Sequence, residues 1–193
     1  MKPYYLLNFG DIDIVNPNYE FQPPRPQVVK GQMLYNNQVD ADATDIFTSE
    51  FCELLIKMRL TPVRRVIVFS YSNRRPAFIL PHCDGHEAFN PALNLTVGQS
   101  RHCVEWYKPK WDGAGTLRQT PFGEPVRTFS PKELDIIQTT THKGPMLFNT
   151  AIPHLGRMIE GTEEWTISVR FHVEQHQEAE FLDKFTPFFH HNT

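Results

Sequence analysis

The chain has 193 residues, enough for one domain with a substantial apolar core, and its formal net charge of −3 gives no basic field of the kind that nucleic acid attracts. Its three cysteines are too few for a disulfide framework and favour a reducing compartment. No apolar run resembles a signal peptide or a membrane span. We therefore expect a cytoplasmic protein that binds neither nucleic acid nor a membrane.

The first sixty residues are expected to contain one strand and one helix. Residues 4–9 have the composition of a short strand, and the proline-rich residues 16–31 predict a connecting loop or, alternatively, a strap across a substrate mouth. Residues 44–59 repeat apolar side chains at three- and four-residue spacing, with Thr44 or Asp45 as the cap. This spacing predicts a helix whose apolar stripe packs on a sheet.

From residue 64 onward the pattern is that of many short strands. Strands are predicted at 66–69, 77–83, 92–97, 102–107, 146–149, 151–158 and 165–173. Short strands with few helices predict a β-sandwich or a barrel.

Three further segments complete the predicted order. Residues 108–127 are rich in proline and glycine and predict either a lid or substrate loop or a plain long insertion. A capping-box pattern at Ser130 predicts a short helix that ends near Gln138. Residues 176–186 predict a closing amphipathic helix, with Ala179, Leu182 and Phe185 on one face.

A histidine and a carboxylate lie two residues apart at the end of an apolar run. On a strand, residues i and i+2 point to one face, so His82 and Asp84 would project side by side. His154, in another predicted strand, is the best candidate for a third ligand. Two histidines and one carboxylate with open positions form the facial triad of non-heme Fe(II) oxygenases.

The last predicted strand has one apolar and one polar face. Its apolar face consists of Trp165, Ile167, Val169 and Phe171 and is expected to lie in the core; its polar face consists of Thr166, Ser168 and Arg170. An arginine in the middle of a strand is costly to bury without an anionic partner. A bound dicarboxylate would supply one, because a guanidinium matches a carboxylate with two hydrogen bonds.

The arrangement His82-x-Asp84, a distal His154 and Arg170 resembles the signature of the Fe(II)- and 2-oxoglutarate-dependent oxygenases. The resemblance covers about residues 64–173. It implies a mainly β fold with a double-stranded β-helix (jelly-roll, cupin-like) core and a few flanking helices. It also implies a single oxygenase domain over residues 1–193, with residues 1–63 as an N-terminal extension.

The resemblance assigns a role to each candidate residue. His82, Asp84 and His154 would bind Fe(II) and carry the catalysis, and Arg170 would bind the distal carboxylate of 2-oxoglutarate. Many members have a serine two residues after the arginine; here that residue is His172, so Ser168 or Thr166 would supply the hydroxyl. Two asparagines are further candidates: Asn94 for cosubstrate contact and Asn149 for holding a ligand or its backbone.

The expected reaction consumes O2 and 2-oxoglutarate, releases succinate and CO2, and hydroxylates a C–H bond. The substrate would be a small molecule, an amino acid or a peptidyl side chain. Two other classes remain open: a cupin-like metal-binding module without activity, which needs no arginine in the cavity, and a zinc hydrolase with Glu87 as its general base. Four other histidines are expected to be structural or on the surface: His86, His102, His142 and His172.

Overall fold

The computed structural model describes residues 2–21, 26–29, 32–35, 38–60, 66–72, 80–84, 89–98, 101–119, 125–141, 143–160, 163–171 and 173–190. These residues form two six-stranded sheets and one two-stranded sheet, in all of which neighbouring strands are antiparallel. Because strands dominate and helices are few, the mainly β prediction is confirmed.

In spatial order, the major sheet consists of β1 (Tyr4–Leu6), β12 (Met146–Asn149), β7 (Pro91–Val97), β14 (Glu163–Arg170), β5 (Val66–Ser72) and β4 (Gln38–Ala41). The minor sheet consists of β11 (Leu134–Thr140), β8 (Arg101–Pro109), β13 (His154–Glu160), β6 (His82–Asp84), β10 (Pro125–Thr128) and β9 (Thr116–Gln119). The remaining pair is β2 (Pro26–Val29) with β3 (Gln32–Tyr35).

The largest apolar core lies between the major sheet and the helices. Ile167 and Val169 of β14 belong to the same buried cluster as Phe51 and Phe185, which come from the helices α2 (Ser49–Lys57) and α3 (Glu178–Phe185). The apolar face predicted for the last strand is therefore buried. Its partners are helices, which leaves the polar face of the same strand for the space between the two sheets.

The minor sheet packs against the opposite face of the major sheet. Val104 and Trp106 of β8 form a second buried cluster with Met146 and Phe148 of β12. The ring of Tyr4, in β1, stacks on that of Trp106 with their centroids 4.6 Å apart. These contacts hold the sheets face to face and place the polar face of β14 in the interior.

The predicted helix at 44–59 is two helices. The first, α1, spans Ala43–Ile46, and Phe47 and Thr48 separate it from α2. The Oδ1 of Asp42, rather than Thr44 or Asp45, accepts the cap hydrogen bond of α1 from the Thr44 amide at 2.9 Å. The Thr48 hydroxyl caps α2 by accepting from the Phe51 amide and itself donates to the carbonyl of Asp13. Because Thr48 starts a second helix, the apolar residues of the predicted helix are divided between two helices.

Two segments in the middle of the chain contain strands that were not predicted. Residues 108–127 include β9 and the start of β10, and these strands pair with each other beside β6. The segment from Ser130 forms only a short 3-10 turn over Pro131–Glu133 and then continues as β11. The Glu133 carboxylate accepts the Ser130 amide at 2.6 Å, so the capping box forms, but Ile136 and Ile137 favour the strand that follows it.

The ends of the chain also differ from the predicted elements. The strand predicted at 4–9 ends at Leu6, and Leu7 forms an isolated bridge with Phe189. The closing helix buries Phe181 together with Phe185, whereas Ala179 is exposed. Within the described residues, no helix has both the length and the apolar character that crossing a bilayer requires.

Candidate metal centre

Three side chains converge at one end of the minor sheet. His82 in β6 and His154 in β13 face each other as partners in the strand register, and Asp84 lies two residues after His82 on the same face. One donor atom from each residue can be chosen such that all three lie within 4.8 Å of one another. The structure thus brings together the three residues whose sequence pattern predicted a metal site.

Both imidazole rings are oriented by a hydrogen bond from Nδ1 to a backbone carbonyl two residues earlier in the chain. The Nδ1 of His82 donates to the carbonyl of Leu80 at 3.0 Å, and the Nδ1 of His154 donates to the carbonyl of Ile152 at 2.9 Å. A carbonyl only accepts hydrogen bonds, so each Nδ1 donates its proton there and Nε2 is the ring nitrogen left for a metal. Partners of this kind orient metal-binding imidazoles in known sites.

The same short sequence pattern precedes both histidines. Each histidine follows an aliphatic residue and a proline, as Leu80-Pro81-His82 and Ile152-Pro153-His154. Proline restricts its own φ and the conformation of the residue before it, which suits a fixed turn back to the carbonyl two residues earlier. The repeat is a sequence feature that the two histidines share.

The carboxylate of Asp84 has a different neighbour on each side. Its Oδ2 accepts a hydrogen bond from Nη2 of Arg170 at 2.7 Å, and its Oδ1 lies 3.5 Å from Nε2 of His82. The Arg170 side chain also donates through Nη1 to the Thr150 hydroxyl at 3.0 Å. One carboxylate oxygen is therefore paired with the guanidinium, while the other faces the histidines.

The surroundings favour the protonation states that a metal needs. Burial by itself would raise the pKa of Asp84, but the charges of Arg170 and the two histidines outweigh it and hold that pKa well below its usual range. Burial, together with the neighbouring His82, lowers the pKa of His154 to about 4. At neutral pH the site thus offers an ionised carboxylate and a neutral imidazole, as metal binding requires.

The predicted polar face of β14 points into the space between the sheets. Ser168 and Thr166 are both buried, and the Ser168 hydroxyl donates to Oδ1 of Asn94 at 2.7 Å. Among the described residues, three buried polar atoms have no hydrogen-bond partner: Nε1 of Trp106, Oγ1 of Thr166 and Nε of Arg170. Trp106 pairs with His154 in the strand register, so these unpaired groups belong to the inner faces of the two sheets.

A small cavity of about 20 Å³ lies between the two sheets and is lined by Thr166, Asn94 and Thr96 of the major sheet together with Thr140 of the minor sheet. This volume is enough for a single water molecule. Thr166, which lies four residues from Arg170 along the strand, is among the residues that line this space.

A backbone network joins the two ligand-bearing segments. Oδ1 of Asn149 accepts from the amides of Asn90 and Ala151 at 2.8 and 3.0 Å, respectively. Asn90 in turn donates through Nδ2 to the carbonyl of Asp84 at 3.0 Å. Asn149 thus holds backbone next to the ligands, as one of the two roles expected for it. Asn90 and Thr150 were not predicted, since neither residue shows a spacing that marks it.

A second, larger cavity of about 310 Å³ lies beside the opposite face of β6, where Cys83 points. Its lining includes Trp111, Asp112 and Arg127, which belong to the stretch predicted as a lid, a substrate loop or an insertion. Trp106 and Tyr107, which precede this stretch in β8, are buried. Burial raises the pKa of the Cys83 thiol to about 12, so this thiol is protonated at neutral pH.

The remaining sequence candidates have side chains that the structure does not describe. His86, Glu87, His142 and His172 lie outside the described residues, as does the side chain of His102. All three cysteines are free thiols. Within the part of the chain that the structure describes, His82, Asp84 and His154 are the one group of three such residues arranged to hold a metal.

No protein-family model matches the chain, and no curated protein matches it.

Proposed function

We propose that this protein is an Fe(II)- and 2-oxoglutarate-dependent dioxygenase with a double-stranded β-helix core. It would hydroxylate a C–H bond of a small molecule, an amino acid or a peptidyl side chain. One observation carries the proposal: the convergence of His82, Asp84 and His154 next to the guanidinium of Arg170. The two facing six-stranded sheets support the fold assignment, since that core is itself built from two sheets.

The donor set fits Fe(II). Two imidazole nitrogens and one carboxylate oxygen suit this ion, and with each Nδ1 bonded to a carbonyl, Nε2 is the nitrogen that would bind it. Two atoms that each bind one ion at about 2.1 Å can be at most about 4.2 Å apart. The observed limit of 4.8 Å is slightly larger, so binding would draw the three side chains inward.

The surroundings of Arg170 support a carboxylate-bearing cosubstrate. Its Nε is buried without a hydrogen-bond partner among the described residues, so one donor of the guanidinium is unsatisfied in the protein alone. The Arg170–Asp84 pair would stay in place, since Asp84 needs only its other oxygen for the metal. Bound iron and 2-oxoglutarate would supply the oxidising chemistry, while the protein would hold the metal, orient the carboxylate and exclude water with Trp106 and Phe148.

The proposal is tested with anaerobic protein to which Fe(II) and 2-oxoglutarate are added. We expect a visible charge-transfer band, and succinate once air is admitted. Arg170→Ala should weaken 2-oxoglutarate binding while iron remains bound. The control is Arg118→Ala, which changes an exposed arginine of β9 and should behave as the wild type. Wild-type protein with neither band nor succinate would exclude the oxygenase function.

The same ion pair favours a second candidate, a metal-binding module without oxygenase activity. Arg170 was expected to need an external anion, yet Asp84 already provides one within the protein. Such a module would bind divalent metal with an affinity that 2-oxoglutarate does not change. Titrating the metal with and without 2-oxoglutarate therefore distinguishes the two candidates.

A further inference from the structure

Thr150 connects Arg170 to the backbone near the candidate ligands. Its side chain is fully buried, and its hydroxyl lies 3.0 Å from Nη1 of Arg170 and 2.9 Å from the carbonyl oxygen of Asn90. The directions of both hydrogen bonds are determined by chemistry. A guanidinium only donates and a carbonyl only accepts, so the single hydroxyl proton goes to Asn90 and the oxygen accepts from Arg170.

The backbone of Thr150 is held just as firmly. Its amide donates to the carbonyl of Asn90 at 2.8 Å, and its carbonyl accepts from the amide of Asp84 at 2.9 Å. The Thr150 hydroxyl therefore has a fixed position relative to β6, the strand that carries His82 and Asp84. Through this hydroxyl, the guanidinium of Arg170 is fixed relative to the same strand.

Two contacts determine the orientation of the Arg170 guanidinium. Nη2 is held by Asp84 and Nη1 by Thr150, which leaves Nε as the buried donor without a partner. A free arginine side chain populates many rotamers, and ordering it on binding costs entropy that weakens the binding of a ligand. Holding both Nη atoms lowers this cost and fixes the direction of the remaining donors.

Building on the proposed function, we infer that Thr150 is a positioning residue that orients Arg170 for the distal carboxylate of the cosubstrate. It thereby makes the site selective for 2-oxo dicarboxylates over 2-oxo monocarboxylates. A monocarboxylate such as pyruvate has the metal-chelating end of 2-oxoglutarate but no distal carboxylate. Only the dicarboxylate therefore depends on the orientation of Arg170.

The test compares Thr150→Val, which has nearly the same shape but no hydroxyl, with Thr150→Ser, which keeps the hydroxyl. Full-length protein is loaded with Fe(II) without oxygen and titrated with 2-oxoglutarate or pyruvate, and the visible band is followed. We expect Thr150→Val to weaken 2-oxoglutarate binding about tenfold, the loss that corresponds to one hydrogen bond to a charged group. Pyruvate binding should be unchanged, and Thr150→Ser should resemble the wild type.

A second comparison uses Arg170→Ala as the background. Adding Thr150→Val to Arg170→Ala should not weaken 2-oxoglutarate binding further, because the residue that Thr150 positions is gone. If thermal melting shows that Thr150→Val is unfolded, Thr150→Ala takes its place with the same expected ratios.

The outcomes separate the two claims. A wild-type band combined with equal weakening for both ligands, with no weakening, or with an additive effect in the Arg170→Ala background would overturn the positioning role and leave the proposed function in place. A wild type without a band for either ligand would overturn both.

Discussion

Arg170 and Asp84 form an ion pair that joins the two sheets at the candidate metal centre. Nη2 of Arg170, in the major sheet, lies 2.7 Å from Oδ2 of Asp84, in the minor sheet, although 86 residues separate them in the chain. Both side chains are mostly buried, with 21% of Arg170 and 26% of Asp84 exposed. Removing either partner therefore leaves a charge with little water to compensate it.

We expect Asp84→Ala to lower the free energy of unfolding by about 2 kcal/mol, less than for a fully buried pair because water reaches part of the site. The double variant Asp84→Ala/Arg170→Ala should lose less than the sum of the single variants, because no unpaired charge remains. Urea denaturation of the four proteins measures this coupling. Additive losses would show that the pair does not stabilise the fold.

His82→Ala and His154→Ala should each abolish the stabilisation that a divalent metal gives the wild type. A metal that binds only the folded state raises the free energy of unfolding by about 2.7 kcal/mol at a concentration 100 times its Kd. Thermal melting with Fe(II) or Co(II), and again after chelation, measures this gain. His176→Ala is the matched control, since His176 is exposed and pairs with the exposed Glu174. A metal-dependent shift that persists in both site variants would rule out this centre.

Tyr107 should make stability fall at high pH. Burial, together with the hydrogen bond that its hydroxyl donates to Glu105, raises its pKa well above the ordinary value of 10.0. Above pH 10 the unfolded tyrosine loses its proton while the folded one keeps it, so the unfolded state gains stability. This effect lowers the free energy of unfolding by up to about 1.4 kcal/mol per pH unit.

The variant Tyr107→Phe isolates this effect. At pH 7 it should be about 1–2 kcal/mol less stable than the wild type, because Glu105 loses a hydrogen-bond donor. Above pH 10 the difference should shrink, since phenylalanine does not ionise. Urea denaturation between pH 7 and pH 11 checks both statements, and a constant difference across that range would contradict them.

Arg59→Gly should stabilise the protein by about 0.5–1 kcal/mol. Arg59 follows α2 with φ of 53°, the left-handed conformation that favours glycine. The amides of Arg59 and Leu60 close the helix end by donating to the carbonyls of Ile56 and Leu55. Arg59→Ala keeps the strained conformation and should give no gain, so equal melting temperatures for the glycine and alanine variants would refute the explanation.

The local sequence pattern predicted strands well where apolar and polar residues alternate and one face of the strand packs against other elements. The alternation of β14 identified its buried apolar face and its polar face, because side chains of a strand alternate whatever the strand packs against. A local pattern misled at Leu134–Gln138, where the capping box at Ser130 predicts a helix. The box closes one 3-10 turn, and pairing with β8 then makes the segment a strand.

The sequence by itself determined which residue types the candidate site offers, since His82 and Asp84 share a face through strand geometry alone. Only the tertiary structure decided that His154 lies opposite His82 and that Arg170 is paired with Asp84. These relationships depend on the register between strands from distant parts of the chain. That register follows from how the two sheets pack, and no local period encodes it.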